Sequence, residues 1–356
     1  MKLCHLASGS PGGISKMTLN LLEIQRQTPE INVSVLLLSP GAWKQQYALP
    51  GVTVLDYSSG HLGLSKCKSI ARKLQEFDLV HMHFFVPLLA FFLWWYNIKV
   101  VYTCHGVRGG NRKPHRFDRL RQWMFRLFLN KVVKYIVFVS EYARSYWQSH
   151  GVSQIHATVI PNGTIYATEE SCALINFPFP STDYVIGVCA SFGKVKRLDL
   201  LIRAFALFAK DNTTARLLLV GDGAERYDLE SLVKELGIDN QVCFTGFQDH
   251  PLPYQQRMDL CVLPSVGETF GLAALEMLHL GKPVIACKDG GGVCEILSPW
   301  ANDIVAPTPE AIASRVEYHF CHRDDIACKE RIIHSMNYTI HACAQKYYQL
   351  YKTSIE

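Results

Sequence analysis

Short apolar runs rich in β-branched residues alternate with amphipathic helical stretches along the chain, the pattern expected of parallel sheets joined by crossover helices. In the first half the runs predict strands near residues 2–7, 32–38, 52–55, 79–83, 99–103, 135–140 and 157–160. In the second half they predict strands near residues 184–189, 215–220, 241–245, 260–263, 283–286 and 303–305. Two doubly wound α/β units in tandem fit this order best. Between them, residues 161–183 carry Pro161-Asn162-Gly163, a polar stretch, then Pro178 and Pro180, which reads as a linker. A final helical segment, about residues 332–352, has no strand after it and can cap either unit. The most apolar stretch, residues 84–96, would span about 20 Å as a helix, short of the roughly 30 Å hydrocarbon core of a bilayer, so no transmembrane helix is expected.

Composition narrows the class. At one domain per roughly 100–200 residues, 356 residues suggest two domains. With 49% hydrophobic and 19% charged residues, the chain is too apolar to be disordered. Its net charge of +5 is small for the length and, with no reader module visible, gives no reason to expect a nucleic-acid partner. The 12 cysteines are scattered singly without a CxxC, as free buried thiols in a reducing cytosol would be. Cys321, His322, Cys328 and His334 lack zinc spacing. The first eight residues run into Gly9-Ser10-Pro11-Gly12-Gly13, which reads as a first strand and its turn rather than a signal peptide.

Ligands of doubly wound sheets bind beyond the C-terminal ends of the strands, and two such units facing each other make a cleft, so the loops after the strands are the place to look for chemistry. No GxGxxG follows the first strand, which disfavours a nicotinamide or flavin dinucleotide. The densest signal is Pro264-Ser265-Val266-Gly267-Glu268-Thr269-Phe270-Gly271-Leu272-Ala273-Ala274-Leu275-Glu276, followed by Gly290-Gly291-Gly292-Val293-Cys294-Glu295. A strand should end at Leu263, a loop should present Glu268, and a helix should start near Phe270-Gly271 with its amide-rich, electropositive end available to an anion. Glu276 then lies about 7 Å further along the helix, roughly the distance from a diphosphate to the ribose behind it. One carboxylate in the loop and one on the helix can thus serve two sugars that flank a diphosphate. Taken singly, each acid reads as a solvated residue; taken together, eight apart across a strand-to-helix junction and followed by a glycine triplet, they point to function.

These residues resemble the E-x7-E signature of retaining glycosyltransferases of family 4, which have the GT-B fold of two Rossmann-like domains. Other motifs follow in the family's order. Gly12-Gly13 resembles the N-terminal glycine loop, and Val80-His81-Met82-His83 and Thr103-Cys104-His105 resemble two histidine-bearing strand ends. Ile160-Pro161-Asn162-Gly163 resembles the hinge, Lys196-Arg197-Leu198-Asp199 the donor-phosphate lysine and its helix, Val220-Gly221-Asp222-Gly223 the next glycine turn, and Phe244-Thr245-Gly246-Phe247 the base-holding loop. The resemblance implies an acceptor-binding domain over 1–164, joined by a C-terminal helix at 335–356 that can cross back to it, and a donor-binding domain over 165–334. It also implies that Glu276 binds the ribose, that Glu268 holds the transferred sugar with the amides of Phe270 and Gly271, that Leu272 belongs to the donor site, and that Lys196 neutralises the leaving diphosphate. Gly221 and Phe247 would complete the donor site. The family usually has a diphosphate-gripping arginine five residues before the lysine; here Ser191 stands there, with Lys194 and Arg197 as candidates to compensate.

In the first half, the resemblance makes His105 a contact of the donor sugar. His83 remains open between structural support and acceptor contact. Gly12 and Gly13 either let backbone amides approach donor or acceptor closely or serve only as a tight turn. Residues 108–134 hold nine Lys or Arg against one acid, Asp118, interleaved with bulky apolar residues. They can lie on an anionic membrane or pack as an amphipathic helix with a solvated basic face, and the aromatic run 91–96 serves either reading.

The activity the resemblance implies is retaining, metal-independent transfer of a hexose or N-acetylhexosamine from a nucleotide diphosphate sugar, expected to be UDP-linked, to a saccharide or lipid-linked acceptor in cell-surface polysaccharide or lipopolysaccharide synthesis. No cofactor is called for, and the expected location is the cytoplasm or the inner face of its membrane. A nucleotide-sugar epimerase of the same architecture and a non-catalytic sugar-nucleotide binder are the alternatives.

Overall fold

The computed structural model describes residues 1–107, 118–152, 156–165, 177–323 and 328–355, which form two compact α/β units. The first unit holds β1 (Lys2–Ser8), β2 (Asn32–Ser39), β3 (Thr53–Asp56), β4 (Leu79–Met82), β5 (Val100–Cys104), β6 (Tyr135–Phe138) and β7 (Ala157–Val159). They make one sheet in the order β3-β2-β1-β4-β5-β6-β7, parallel throughout. Such sheets are covered on both faces, so their strands are nearly continuous apolar runs, and β4 and β5 are buried along their whole length.

On one face of the sheet three polar side chains interrupt this. His5 of β1 pairs in register with His81 of β4, and His81 with Val101 of β5, two residues before Thr103. Because side chains two apart share a face, His5, His81 and Thr103 form a polar stripe on one side of the sheet. That side also carries Leu3, Val35, Leu79 and Val137, packed against Met17, Leu21, Tyr347 and Tyr351. The last two belong to the C-terminal helix, Ile340–Ile355.

This helix corrects one expectation. Residues 332–352 do not form a single helix: Cys328–Ser335 ends first, a single tight turn Met336–Tyr338 follows, and Ile340–Ile355 begins anew. The break comes from pairing of Thr339 with Thr164, in which Thr164 N–H donates to the Tyr338 carbonyl and Ile340 N–H to the Thr164 carbonyl, both at 3.1 Å. The Thr339 hydroxyl then accepts from Ala342 N–H at 3.3 Å and caps the new helix. The earlier helix packs in the second unit against Leu272–His279.

The second unit holds β8 (Tyr184–Cys189), β9 (Ala215–Val220), β10 (Val242–Gly246), β11 (Leu260–Leu263), β12 (Val284–Cys287) and β13 (Ile304–Val305) in the order β10-β9-β8-β11-β12-β13, again parallel. All the expected strands are present, displaced at most a few residues at their ends. In each sheet the winding reverses between the first strand and the fourth, β1/β4 and β8/β11. In doubly wound sheets generally, ligands bind beyond the strand ends at such a reversal. Among the described residues no helix is long and apolar enough to cross a membrane, and every cysteine is a free thiol.

Candidate functional site

In the second unit the loops after β8 and β11, the two strands astride the reversal, are tied together. Val266 N–H donates to the Val195 carbonyl at 2.9 Å. Arg197 donates to the Pro264 carbonyl at 2.7 Å and the Ser265 carbonyl at 3.3 Å, and forks onto both carboxylate oxygens of Asp289 at 2.6 and 2.8 Å. A bidentate arginine fixes geometry as well as charge. Arg197 is therefore the clamp of the two loops. The clamp brings Lys196 Nζ into direct contact with the Glu268 carboxylate, both side chains about a quarter exposed at 22% and 25%. The Glu268 carbonyl accepts from Gly292 N–H at 2.7 Å, which anchors this loop to the glycine triplet as well.

The chain enters the helix Leu272–His279 through Gly271. At φ 103° that residue sits where a side chain is strained, and a Cβ would meet Val293 at 3.0 Å. The first amides of a helix, here those of Leu272 and Ala273, lack an acceptor within the helix itself. Phe270 is 4% exposed, so little of its ring is open to a ligand. Glu276, on the same helix, accepts at 2.7 Å from the amide of Gln255, a buried side chain that sequence reasoning did not single out.

Lys196, Glu268, Gly271, Leu272 and Glu276 thus share one edge of the second sheet. Gly221 follows β9 at φ 138°, where a Cβ would run into the Ala190 carbonyl, so its place in the motif is set by backbone packing. Ser191 and Lys194 are exposed, as is Phe247 beyond β10.

In the first unit Gly12 and Gly13 lie exposed after β1, at the start of the helix Gly13–Gln25, and Ser15 Oγ of its first turn donates to the Ser10 carbonyl at 2.7 Å. His83 follows β4 and His105 follows β5. The structure links them in a chain that the sequence did not reveal. Gln25 Oε1 lies 2.8 Å from His5 Nε2, His5 Nδ1 2.9 Å from His83 Nε2, and His83 Nδ1 2.9 Å from His105 Nε2. A second arm leaves the same amide: Gln25 Nε2 donates to Tyr351 Oη at 3.3 Å, Tyr351 Oη meets His81 Nδ1 at 2.8 Å, His81 Nε2 meets Thr103 Oγ1 at 2.8 Å, and Thr103 Oγ1 meets Tyr347 Oη at 2.9 Å.

Burial pushes His5 and His105 down to about 4 and His81 and His83 well below the ordinary imidazole range, so all four rings are neutral near pH 7. His5, His81 and His83 lie close enough to share a metal ion, but each of their six ring nitrogens already has a hydrogen-bond partner. His83, 2% exposed and engaged at both nitrogens, is placed behind His105.

The helix Asp118–Lys131 covers part of the basic segment; residues 108–117 lie outside the described residues. Together with Pro87–Trp95 it walls an apolar groove of about 560 Å³ lined by Phe85, Phe91, Trp94, Trp123, Leu127 and Phe128. Trp94 and Trp123 are 55% and 54% exposed, and Arg121, Arg126 and Lys131 are exposed on the second helix.

Comparison with known proteins matches residues 11–165 to the family model described as Glycosyltransferase Family 4 and residues 175–321 to that described as Glycosyl transferases group 1. The chain is similar to the N-acetyl-alpha-D-glucosaminyl L-malate synthase of Bacillus anthracis, 28% identical over 275 residues that cover 71% of this chain and 67% of that protein. It is also similar to the lipopolysaccharide core biosynthesis glycosyltransferase LpsD of Rhizobium meliloti, 26% identical over 294 residues, 82% of this chain and 79% of that one. Among solved structures, Anabaena HepE in complex with UDP-glucose superposes with a TM-score of 0.81 at 19% identity, over 99% of this chain and all of the other (100%).

Proposed function

The chain belongs to the glycosyltransferases of GT-B fold, and from that premise we propose that it is a retaining enzyme that transfers a hexose or N-acetylhexosamine from a UDP-sugar to a saccharide or lipid-linked acceptor in cell-surface polysaccharide or lipopolysaccharide synthesis. The observation that carries this reading is the Lys196–Glu268 pair at the head of the helix that bears Glu276, at the reversal of the second sheet. The solved relative HepE, held with UDP-glucose, supports the choice of donor.

In this reading the diphosphate lies between the Lys196 ammonium and the amides of Gly271 and Leu272. As the glycosidic bond breaks, negative charge grows on the departing oxygen. A fixed cation about 4 Å away is worth about 4 kcal/mol at an effective dielectric of 20, more than the roughly 0.3–2 kcal/mol of a helix end, so Lys196 leads. Glu268 accepts from hydroxyls of the transferred sugar, and its contact with Lys196 holds both groups in place before the donor arrives. Glu276, oriented by Gln255, accepts from the ribose hydroxyls in charge-assisted bonds worth about 1.5–3 kcal/mol. Phe247 is the surface for the base, and Lys194 is left as the cation able to stand in for the arginine missing at Ser191. Leaving group and incoming hydroxyl share one face of the sugar, the donor phosphate takes the acceptor's proton, and neither a protein nucleophile nor a metal is required. In the first unit, the acceptor domain of this reading, Gly12 and Gly13 offer backbone to substrate and His105 a ring nitrogen to a substrate hydroxyl. The apolar groove with its flanking cations is the face for peripheral attachment to an anionic membrane.

The test is Glu276→Ala in calorimetry with UDP-sugars and in a transfer assay: donor binding should weaken at least tenfold and transfer should vanish, whereas full activity would overturn the assignment.

A further inference from the structure

The apolar groove of the first unit is built from two matched stripes. Pro87, Phe91 and Trp94 line it from the helix Pro87–Trp95, and Trp123, Leu127 and Lys131 from the helix Asp118–Lys131. Residues three and four apart share one face of a helix, so each stripe runs lengthwise and the two stripes wall a single channel. Phe91, Trp94, Trp123 and Leu127 are each about half exposed, and the channel between the stripes holds about 560 Å³. That volume falls within the roughly 300–1,000 Å³ of small-molecule sites. The channel also has two distinct ends. Phe85 and Pro87 follow β4 directly, at the C-terminal edge of the sheet where such folds receive ligands. Both helices start at that edge and run back toward the beginning of the next strand, which puts Trp123 nearer the edge and Trp94 and Lys131 at the far end. From Pro87 to Trp94 the helix rises about 10 Å. Arg121, Arg126 and Lys131 are exposed on the helix Asp118–Lys131, and every charged side chain described on that helix is a cation.

We propose that this channel holds the tail of the acceptor: one linear apolar chain, joined to the accepting saccharide through a phosphate, with its head at the sheet edge by Phe85 and its end toward Trp94. The inference rests on the reading of this unit as the acceptor domain, and it commits that reading to a lipid-linked acceptor over a free saccharide. It also goes beyond attachment to a membrane, because a channel walled by one stripe from each helix takes up a single chain, whereas a membrane face needs only exposed apolar area. Continuity with the strand-end edge decides which end receives the head, and the cations of the second helix decide its charge. The apolar lining decides the tail: each methylene drawn from water into the channel tightens binding, and a contiguous exposed apolar patch of this kind is otherwise a liability for a protein in water.

The test uses the whole protein and a series of straight-chain alkyl phosphates from hexyl to tetradecyl, each kept below its critical micelle concentration, with binding read by calorimetry. Binding should saturate at one molecule per protein, tighten about two- to fourfold for each added methylene, and level off once the channel is full. Leu127→Glu, at a half-exposed position on the channel wall, should abolish the dependence on chain length and leave UDP affinity unchanged. Orientation is read from tryptophan quenching, with Trp94→Phe and Trp123→Phe separating the two signals. A chain brominated on its last carbon should quench Trp94 more than Trp123, and one brominated beside the phosphate should do the opposite. Affinity that keeps climbing with length, or no saturable binding by any monomeric phosphate, overturns the site, and neither measurement needs a variant to fold. The reverse quenching pattern overturns the assignment to the acceptor, since the head would then stand away from the sheet edge. These failures leave the glycosyl-transfer reading as it was, whereas an absence of UDP-sugar binding would strike that reading and leave the lipid site standing.

Discussion

Acidifying the protein from pH 7 to pH 5 should loosen the first unit, and the size of the effect follows from the buried imidazoles. An unfolded histidine takes up a proton near pH 6.5, but His5, fully buried and only partly compensated by its bond to Gln25, resists until about pH 4. Between those values the unfolded chain binds more protons than the folded one, so stability falls as the pH falls. For His5 alone the loss is about 2 kcal/mol at pH 5 and about 3 kcal/mol once the pH is below 4. His81 and His83 are shifted further in the same direction, so the unit as a whole loses more. Against a typical total of roughly 5–15 kcal/mol, that is a large share. Urea unfolding followed by tryptophan fluorescence reads it directly, because Trp43, Trp94, Trp95, Trp123 and Trp147 lie in the first unit and only Trp300 in the second. With Trp300→Phe as the background, the midpoint should drop by about 1 M urea or more between pH 7 and pH 5. A midpoint constant over that interval would mean that the rings are solvated or charged, and would refute the argument.

Three further outcomes are expected. Arg197→Ala should release the loop that carries Lys196 and weaken UDP-sugar binding about tenfold in calorimetry, through loss of a charged bond worth about 1.5–3 kcal/mol, while the second unit stays folded by circular dichroism. Gly221→Ala should destabilise the second unit by about 2–4 kcal/mol in thermal unfolding, since its backbone is one that only glycine adopts and the added methyl meets the Ala190 carbonyl. The double variant Trp94→Ser, Trp123→Ser should lose co-sedimentation with vesicles rich in anionic lipid, and 0.5 M salt should weaken the unmodified protein's binding, because the flanking cations act over a Debye length of only about 3–10 Å at such ionic strengths.

Much of the architecture was legible because parallel strands buried on both faces must be short apolar runs, and the helices between them must be amphipathic. Each strand of the second sheet, from Tyr184–Cys189 to Ile304–Val305, could be located from such a run. The candidate motif was legible for a related reason: Lys196, Glu268, Gly271 and Glu276 sit in the segments that follow β8 and β11, where doubly wound sheets place their ligand-binding loops.

Local sequence therefore determined the two α/β units, the strand positions and the candidate acids. Tertiary structure alone decided what depends on register and on contacts distant in sequence. That Arg197, beside Lys196, forks onto Asp289 92 residues away is invisible in the sequence. The helical pattern over residues 332–352 is unbroken in composition, and only pairing of Thr339 with Thr164 divides it. His5, 78 residues before His83, and Tyr351, 270 residues after His81, become neighbours because β1, β4 and β5 stack in register beneath a helix from the end of the chain. The physical reason is that periodicity reports which face of an element is buried, whereas a hydrogen bond needs two atoms within about 3 Å, and only the folded chain fixes which atoms those are.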